Sequence, residues 1–269
     1  MPLERLDKIL ASTGKWSRKE AKELIRAGRI LVDGVVTREA AAKFDPEAVR
    51  LSADDESVLY RRSVWVMLNK PAGSVSTKDA GKGPTVMDLL PRELRNLFPV
   101  GRLDKNTEGL LLLTNDGPAA HALLSPRHHV DKVYHARVWG RPTDADIAAF
   151  RAGLTLSDGL QCLPAELEIL SDAPEEPGSA APEESGNAAP EEPGNAGQTP
   201  APDPRETLCR VTVREGKFHQ VKRMFQQIGT PVRYLERVKM GNLPLDSGLA
   251  RGSFRFLTAE EIEKLGIFS

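Results

Sequence analysis

The 269 residues carry 37 Lys and Arg against 38 Asp and Glu, but residues 171–204 hold eight of the acids and no base, so the rest of the chain is basic, 37 against 30. That excess keeps nucleic acid among the expected partners, and the length suffices to bury a core without staples. Cys162 and Cys209 lie too far apart for a disulfide scaffold or zinc ribbon, no apolar run reaches the ~20 residues of a membrane span, and the charged start MPLERLDKIL is no signal peptide, so a soluble cytoplasmic protein with no bound metal is expected.

Leu3, Leu6, Ile9 and Leu10 recur at helical spacing, and Ser12-Thr13-Gly14 ends that helix. Ser17, three residues before Glu20, reads as a capping box opening a second helix through Ala27, with Gly28 as its C-cap. Ala21, Leu24 and Ile25 form its apolar stripe, while Arg18, Lys22, Arg26 and Arg29 share the other face. Alone, that charge run is either a solvated face or a surface that tracks phosphates. Asp33-Gly34 between short β-branched runs signals a hairpin. Residues 46–63 read as a connector, giving expected boundaries of 1–48, a linker at 49–63, and a second domain over 64–269.

Strands are expected at 64–69, 109–115, 132–139, 165–170, 207–214 and 231–239, and helices at 85–90, 117–124, 143–152, 219–228 and 259–265. Their irregular alternation favours an α+β fold over a doubly wound sheet. The eight-residue repeats APEEPGSA, APEESGNA and APEEPGNA have no large apolar residue, so the segment 171–204 is expected to be a disordered insert between two strands.

Four stretches bear chemistry. Lys70 follows the first strand of the second domain, where an amine and Gly73 suit phosphate, yet no nucleotide-binding P-loop pattern is present. Gly101-Arg102-Leu103-Asp104 precedes the apolar run Leu110–Leu113, read as a strand buried on both faces. There Asp104 is either half of a turn ion pair with Arg102 or a poorly solvated reactive carboxylate. In Ser125–Tyr134 the adjacent His128 and His129 cannot chelate one metal as an i, i+4 pair does, Arg127 and Lys132 fit phosphate, and Tyr134 is either core or a platform for a base. In Glu215–Phe225, Lys222 and Arg223 ride a helix whose Val221, Met224 and Phe225 pack inward.

GRLDKNTEGLLLLTNDG, VMLNKPAGSVST, DKVYHARV and EGKFHQVKRMFQQIG together resemble the motifs of the Rsu family of RNA pseudouridine synthases, and residues 5–45 resemble the S4 RNA-binding module carried in front of them. The resemblance covers nearly all the chain outside 171–204. It implies a helix-helix-hairpin S4 domain before a pseudouridine synthase domain with a mixed, mainly antiparallel sheet, and Asp104 as nucleophile at C1′ or C6. It also implies Tyr134 stacked on the base and able to take the C5 proton, Lys222 paired with the aspartate, Arg102 in support, and no cofactor. SPRHHVDKVY and HQVKRMF resemble the small-subunit branch, implying 16S rRNA, or a small-subunit assembly particle, as partner, at uridine 516, for a monomeric enzyme. RNA contacts are expected from Arg18, Lys22, Arg26, Arg29, Lys70, Arg127, Lys132 and Arg223. The alternatives are a large-subunit rRNA target and a non-catalytic ribosome-assembly factor.

Overall fold

The computed structural model describes residues 3–58, 60, 63–78, 81, 83–125, 128–172 and 206–266. The chain folds into two compact units, Met1–Lys132 with Arg237–Ser269, and Val133–Glu236.

The first unit opens with β1 (Glu4–Arg5) and α1 (Leu6–Ser12). The helix expected from Leu3 therefore starts three residues later, because Glu4 and Arg5 pair antiparallel with Lys43–Phe44 and Leu3 stays exposed. α2 (Arg18–Arg26) begins at the expected capping box, in which Ser17 Oγ accepts from Glu20 N–H and the Glu20 carboxylate accepts from Ser17 N–H. Its Ala21 and Ile25 are buried in one cluster with Leu6, Ile9 and Leu10. β2 (Ile30–Val32) and β3 (Val35–Val36) form the expected hairpin, with Asp33 at φ +50° and Gly34 at +81°, the both-positive pair a two-residue turn requires. β4 (Lys43–Phe44) is the partner of β1.

The linker expected at 49–63 is corrected by β5 (Leu51–Ala53) and β6 (Glu56–Val58). These strands extend β2 into the four-stranded sheet β3-β2-β5-β6, and Leu51, Ala53 and Val58 complete the module's core. Three-residue strands show too little alternation to be read from sequence. Arg29 forms a two-pronged ion pair with Asp54 at the β5–β6 turn.

β7 (Trp65–Lys70) and β9 (Glu108–Thr114) pair antiparallel from Trp65↔Thr114 to Lys70↔Gly109, and every residue of both is buried. Between them, the helix expected at 85–90 is one 3-10 turn, Val86–Leu89, hemmed in by Pro84 and Pro91, and β8 (Phe98–Pro99) flanks β9. α3 (Gly117–Leu124) starts at Asp116, whose carboxylate accepts from Ala119 N–H. Ala119, Ala120 and Leu123 pack with Trp65, Met67, Leu110 and Leu112.

β10 (Lys132–Trp139) leads into the second unit, which continues through α4 (Asp144–Ala152), β11 (Glu166–Asp172), β12 (Glu206–Val213), α5 (Gln220–Gln227) and the first half of β13 (Val232–Met240). Its strands run in the order β11-β12-β10-β13. Burial alternates along β10, and Phe150 of α4 meets Phe225 of α5 with ring centroids 5.4 Å apart. Of the acidic insert expected at 171–204, residues 173–204 lie outside the described residues, as does Arg127.

Back in the first unit, β14 (Leu243–Pro244) pairs with the end of β13, β15 (Phe254–Phe256) pairs with β7, and α6 (Ala259–Lys264) follows. Arg255 bridges Asp246 and Glu261, which holds the Glu261 carboxyl down at about 2. The fold is α+β, a small N-terminal module ahead of a larger, mainly antiparallel sheet. No helix among the described residues is long and apolar enough to cross a membrane.

Candidate active site

Asp104 sits at the mouth of a turn that closes onto the start of β9. Gly101 enters it at φ +74°, and a Cβ there would stand 2.9 Å from Leu124 Cδ2, so only glycine fits without strain. Leu103 is buried and its backbone is held from both sides by Ser76, whose hydroxyl accepts from Leu103 N–H (3.1 Å) and donates to Leu103 C=O (2.9 Å). Thr107 N–H then donates to Asp104 C=O (3.1 Å), and Thr107 Oγ1 lies 3.5 Å from Asp104 Oδ2. The carboxylate is half-buried on this fixed backbone.

Lys70 locks the turn from behind. Its side chain is wholly buried, and its ammonium donates to the carbonyls of Pro71 (3.0 Å), Lys105 (3.1 Å) and Thr107 (2.8 Å). These bonds match the three donors an ammonium has. Gly73 N–H adds a bond to Lys105 C=O, and Glu108, buried at the foot of β9, accepts from Ala72 N–H and pairs with Arg251. This corrects the expectation that Lys70 contacts RNA: an amine enclosed by three carbonyls does not reach a phosphate. Its signal in the sequence was misleading because its acceptors come from residues 71, 105 and 107, two of them far along the chain.

Arg102 is exposed and makes no ion pair among the described residues. The ion pair considered for the GRLD turn is therefore not formed, and the guanidinium faces solvent beside the carboxylate's own loop.

Lys132 is also buried, donating to Val130 C=O. Burial and the neighbouring Arg237 guanidinium push its amine down to about 8. Arg237 is itself buried, its Nε donating to Leu110 C=O while Nη2 has no partner among the described residues. Since the folded value lies below the ordinary 10.5, charging Lys132 costs stability, in full below pH 8 and not at all above pH 10.5. Lys132→Met is expected to stabilise the protein at pH 7 by on the order of 2 kcal/mol. Urea unfolding from pH 7 to 10.5 should show the advantage shrinking as pH rises through that window; a constant advantage would mean Lys132 is not buried as a cation.

In the second unit Tyr134 lies on the buried side of β10, and Lys222 stands in the first turn of α5, whose Val221, Met224 and Phe225 face the core. Arg223, expected on RNA, pairs with Asp158. The loop ahead of α5 is stitched by Gln220, which donates to Glu215 (2.7 Å) and accepts from Lys217 N–H (3.1 Å).

The basic face of α2 has an acid beneath it that the sequence reading missed. Asp7, wholly buried, takes two bonds from Arg5 (3.0 Å each) and lies 3.4 Å from Arg18 and 3.7 Å from Lys22. Hydrogen bonding from Arg5 holds its carboxyl below the usual range. Asp7 thereby fans three partly exposed cations from one point, with exposed Arg26 beyond them. An acid in the first turn of an amphipathic helix was the available signal. Among the described residues no cluster of His, Cys, Asp or Glu suits a metal ion.

The model of the RNA pseudouridylate synthase family matches residues 64–227, and that of the S4 domain matches residues 4–49. An uncharacterized RNA pseudouridine synthase of Bacillus subtilis is 39% identical over 263 residues, which cover 97% of this chain and 98% of that protein. The ribosomal small subunit pseudouridine synthase A of Vibrio cholerae is 34% identical over 265 residues, covering 97% and 99%. A crystal structure of a pseudouridylate synthase is similar at a TM-score of 0.61 and 31% identity, over 97% of this chain and 99% of that one.

Proposed function

Because this chain belongs to the RNA pseudouridylate synthase family and converts uridine in RNA to pseudouridine, we propose that its substrate is 16S rRNA, or a small-subunit assembly particle, at uridine 516, with Asp104 as the nucleophile. The observation that carries the assignment is the Asp104 turn: a half-buried carboxylate, not neutralised by Arg102, on a backbone fixed by Ser76, Lys70 and Thr107. Such support suits a group that must meet a flipped-out base repeatedly in one geometry.

The carboxylate attacks C1′ or C6 of the uridine, the N-glycosidic bond breaks, the uracil turns, C5 bonds to C1′, and the bond to Asp104 breaks to release the carboxylate. C5 then loses its proton and N1 gains one. Tyr134 is assigned as the ring that stacks on the base and takes that proton, and Lys222 as the basic partner of the aspartate. The chemistry is an isomerisation, with no net redox change and no water consumed. The small-subunit target is supported by the Vibrio cholerae relative, similar over its full length, and by the segments SPRHHVDKVY and HQVKRMF.

The test is incubation of the protein with 16S transcripts, 23S transcripts and assembly particles, followed by mapping of pseudouridine. Modification at 16S position 516 is expected. Modification confined to 23S rRNA would overturn the target, and none on any substrate would overturn the activity.

Arg18, Lys22 and Arg26 are assigned to RNA phosphates. Replacing all three by Gln is expected to weaken RNA binding and reduce the slope of log affinity against log salt by about 2–3. Turnover at saturating RNA should change little. Arg5 still satisfies Asp7 in that variant, so the module should remain folded by circular dichroism. An unchanged salt slope would make the face merely solvated.

A further inference from the structure

Among the exposed large apolar side chains of the described residues, Phe218 is the most open, with 76% of its surface in solvent. Leaving a phenyl ring in water forfeits its burial, and here it is not a frayed end. Its ring stacks on the imidazole of His219, centroids 3.8 Å apart and planes 20° apart.

Neighbouring side chains seldom stack face to face in extended or helical backbone, where successive residues point apart. His219 adopts a left-handed backbone, φ +49° and ψ +30°, and that turn brings the two rings together. The loop beneath is fixed by Gln220 bonding to Glu215 and to Lys217 N–H, and by Lys217 pairing with Glu215. The result is a flat, pre-ordered aromatic surface that pays little ordering entropy on binding. It directly precedes α5, four residues from Lys222.

We propose that the Phe218–His219 stack is a platform for an unpaired base of the substrate RNA, distinct from the uridine that reacts. The proposal rests on the assignment of Lys222 to the reaction, which puts α5 at the RNA. A base fits the surface better than a peptide side chain does. Both rings are flat, every base has a π-face, and single-stranded RNA is held by stacking on aromatic planes. In this role Phe218 positions the RNA and does no chemistry.

The test compares Phe218→Ala, Phe218→Leu and Phe218→Trp with the parent, using kcat and KM for pseudouridine formation in 16S rRNA and indole fluorescence on adding RNA. Phe218→Ala is expected to raise KM about ten-fold and leave kcat within about two-fold. Phe218→Trp should restore the parental KM, and Phe218→Leu should not. The indole introduced at position 218 should be quenched by RNA beyond any change in the parent, which has three tryptophans of its own. An unchanged KM in Phe218→Ala, or rescue by Leu as complete as by Trp, would overturn the platform; the latter would leave an apolar contact that needs no flat ring. The quenching needs no turnover, so it still tests stacking if the catalytic assignment fails, and absence of quenching would overturn the proposal by itself.

Discussion

Asp104→Asn is expected to bring pseudouridine formation below detection while leaving RNA affinity and thermal stability at parental levels. The amide keeps the shape of the carboxylate but loses the charge and nearly all the nucleophilicity, so the covalent route closes. RNA affinity should hold because a carboxylate repels phosphate rather than attracting it. Stability should hold because the turn is built from the backbone of Leu103, Lys105 and Thr107, and the amide fills the same volume as the carboxylate. Single-turnover assays with saturating rRNA, beside melting curves and binding isotherms, separate these quantities. Substantial turnover in the variant would remove Asp104 from the chemistry. A variant that no longer folds would make GRLD a structural turn.

Lys70→Met is expected to damage both stability and rate. The thioether matches the lysine's length and tolerates burial, but it leaves Thr107 C=O without its donor and takes one of two donors from the carbonyls of Pro71, which keeps Ser74 Oγ, and Lys105, which keeps Gly73 N–H. A buried polar group left unpaired costs roughly 1–3 kcal/mol, and the two further bonds lost bring the total to about 3 kcal/mol. That is a large share of the roughly 5–15 kcal/mol by which domains are stable. The relaxation moves Asp104, and displacement of a reacting group by about 1 Å costs on the order of 100-fold in rate. Urea unfolding and single-turnover rates at low temperature, where the variant stays folded, measure both. Parental values in both would show that the amine does not hold the turn.

The two variants differ in what the sequence disclosed about them. The strand after GRLD was legible from its apolar run, and Leu110–Leu113 is indeed buried throughout. Local patterns of that kind gave the Ser17–Glu20 box, the Asp33-Gly34 hairpin and the alternation of β10, each set by residues within a few positions of one another. Lys70 was misread because a lysine is ordinarily a surface residue, and what buries this one arrives from the 105–107 turn. The β5–β6 hairpin was hidden for a related reason. Its strands gain their place by pairing with β2, and its turn is made by Asp54 and Asp55 in left-handed backbone, where glycine would have announced it. Asp7 escaped because its three cations converge from β1 and α2, which only folding brings together.

The proposal that this chain forms pseudouridine at one uridine of small-subunit rRNA through Asp104 can be checked in cells lacking the protein, then supplied with the parent or with Asp104→Asn, by mapping pseudouridine across their rRNA. Modification at 16S position 516 alone is expected to be lost, restored by the parent and not by the variant. A small-subunit rRNA with every pseudouridine intact, or restoration by Asp104→Asn, would contradict it.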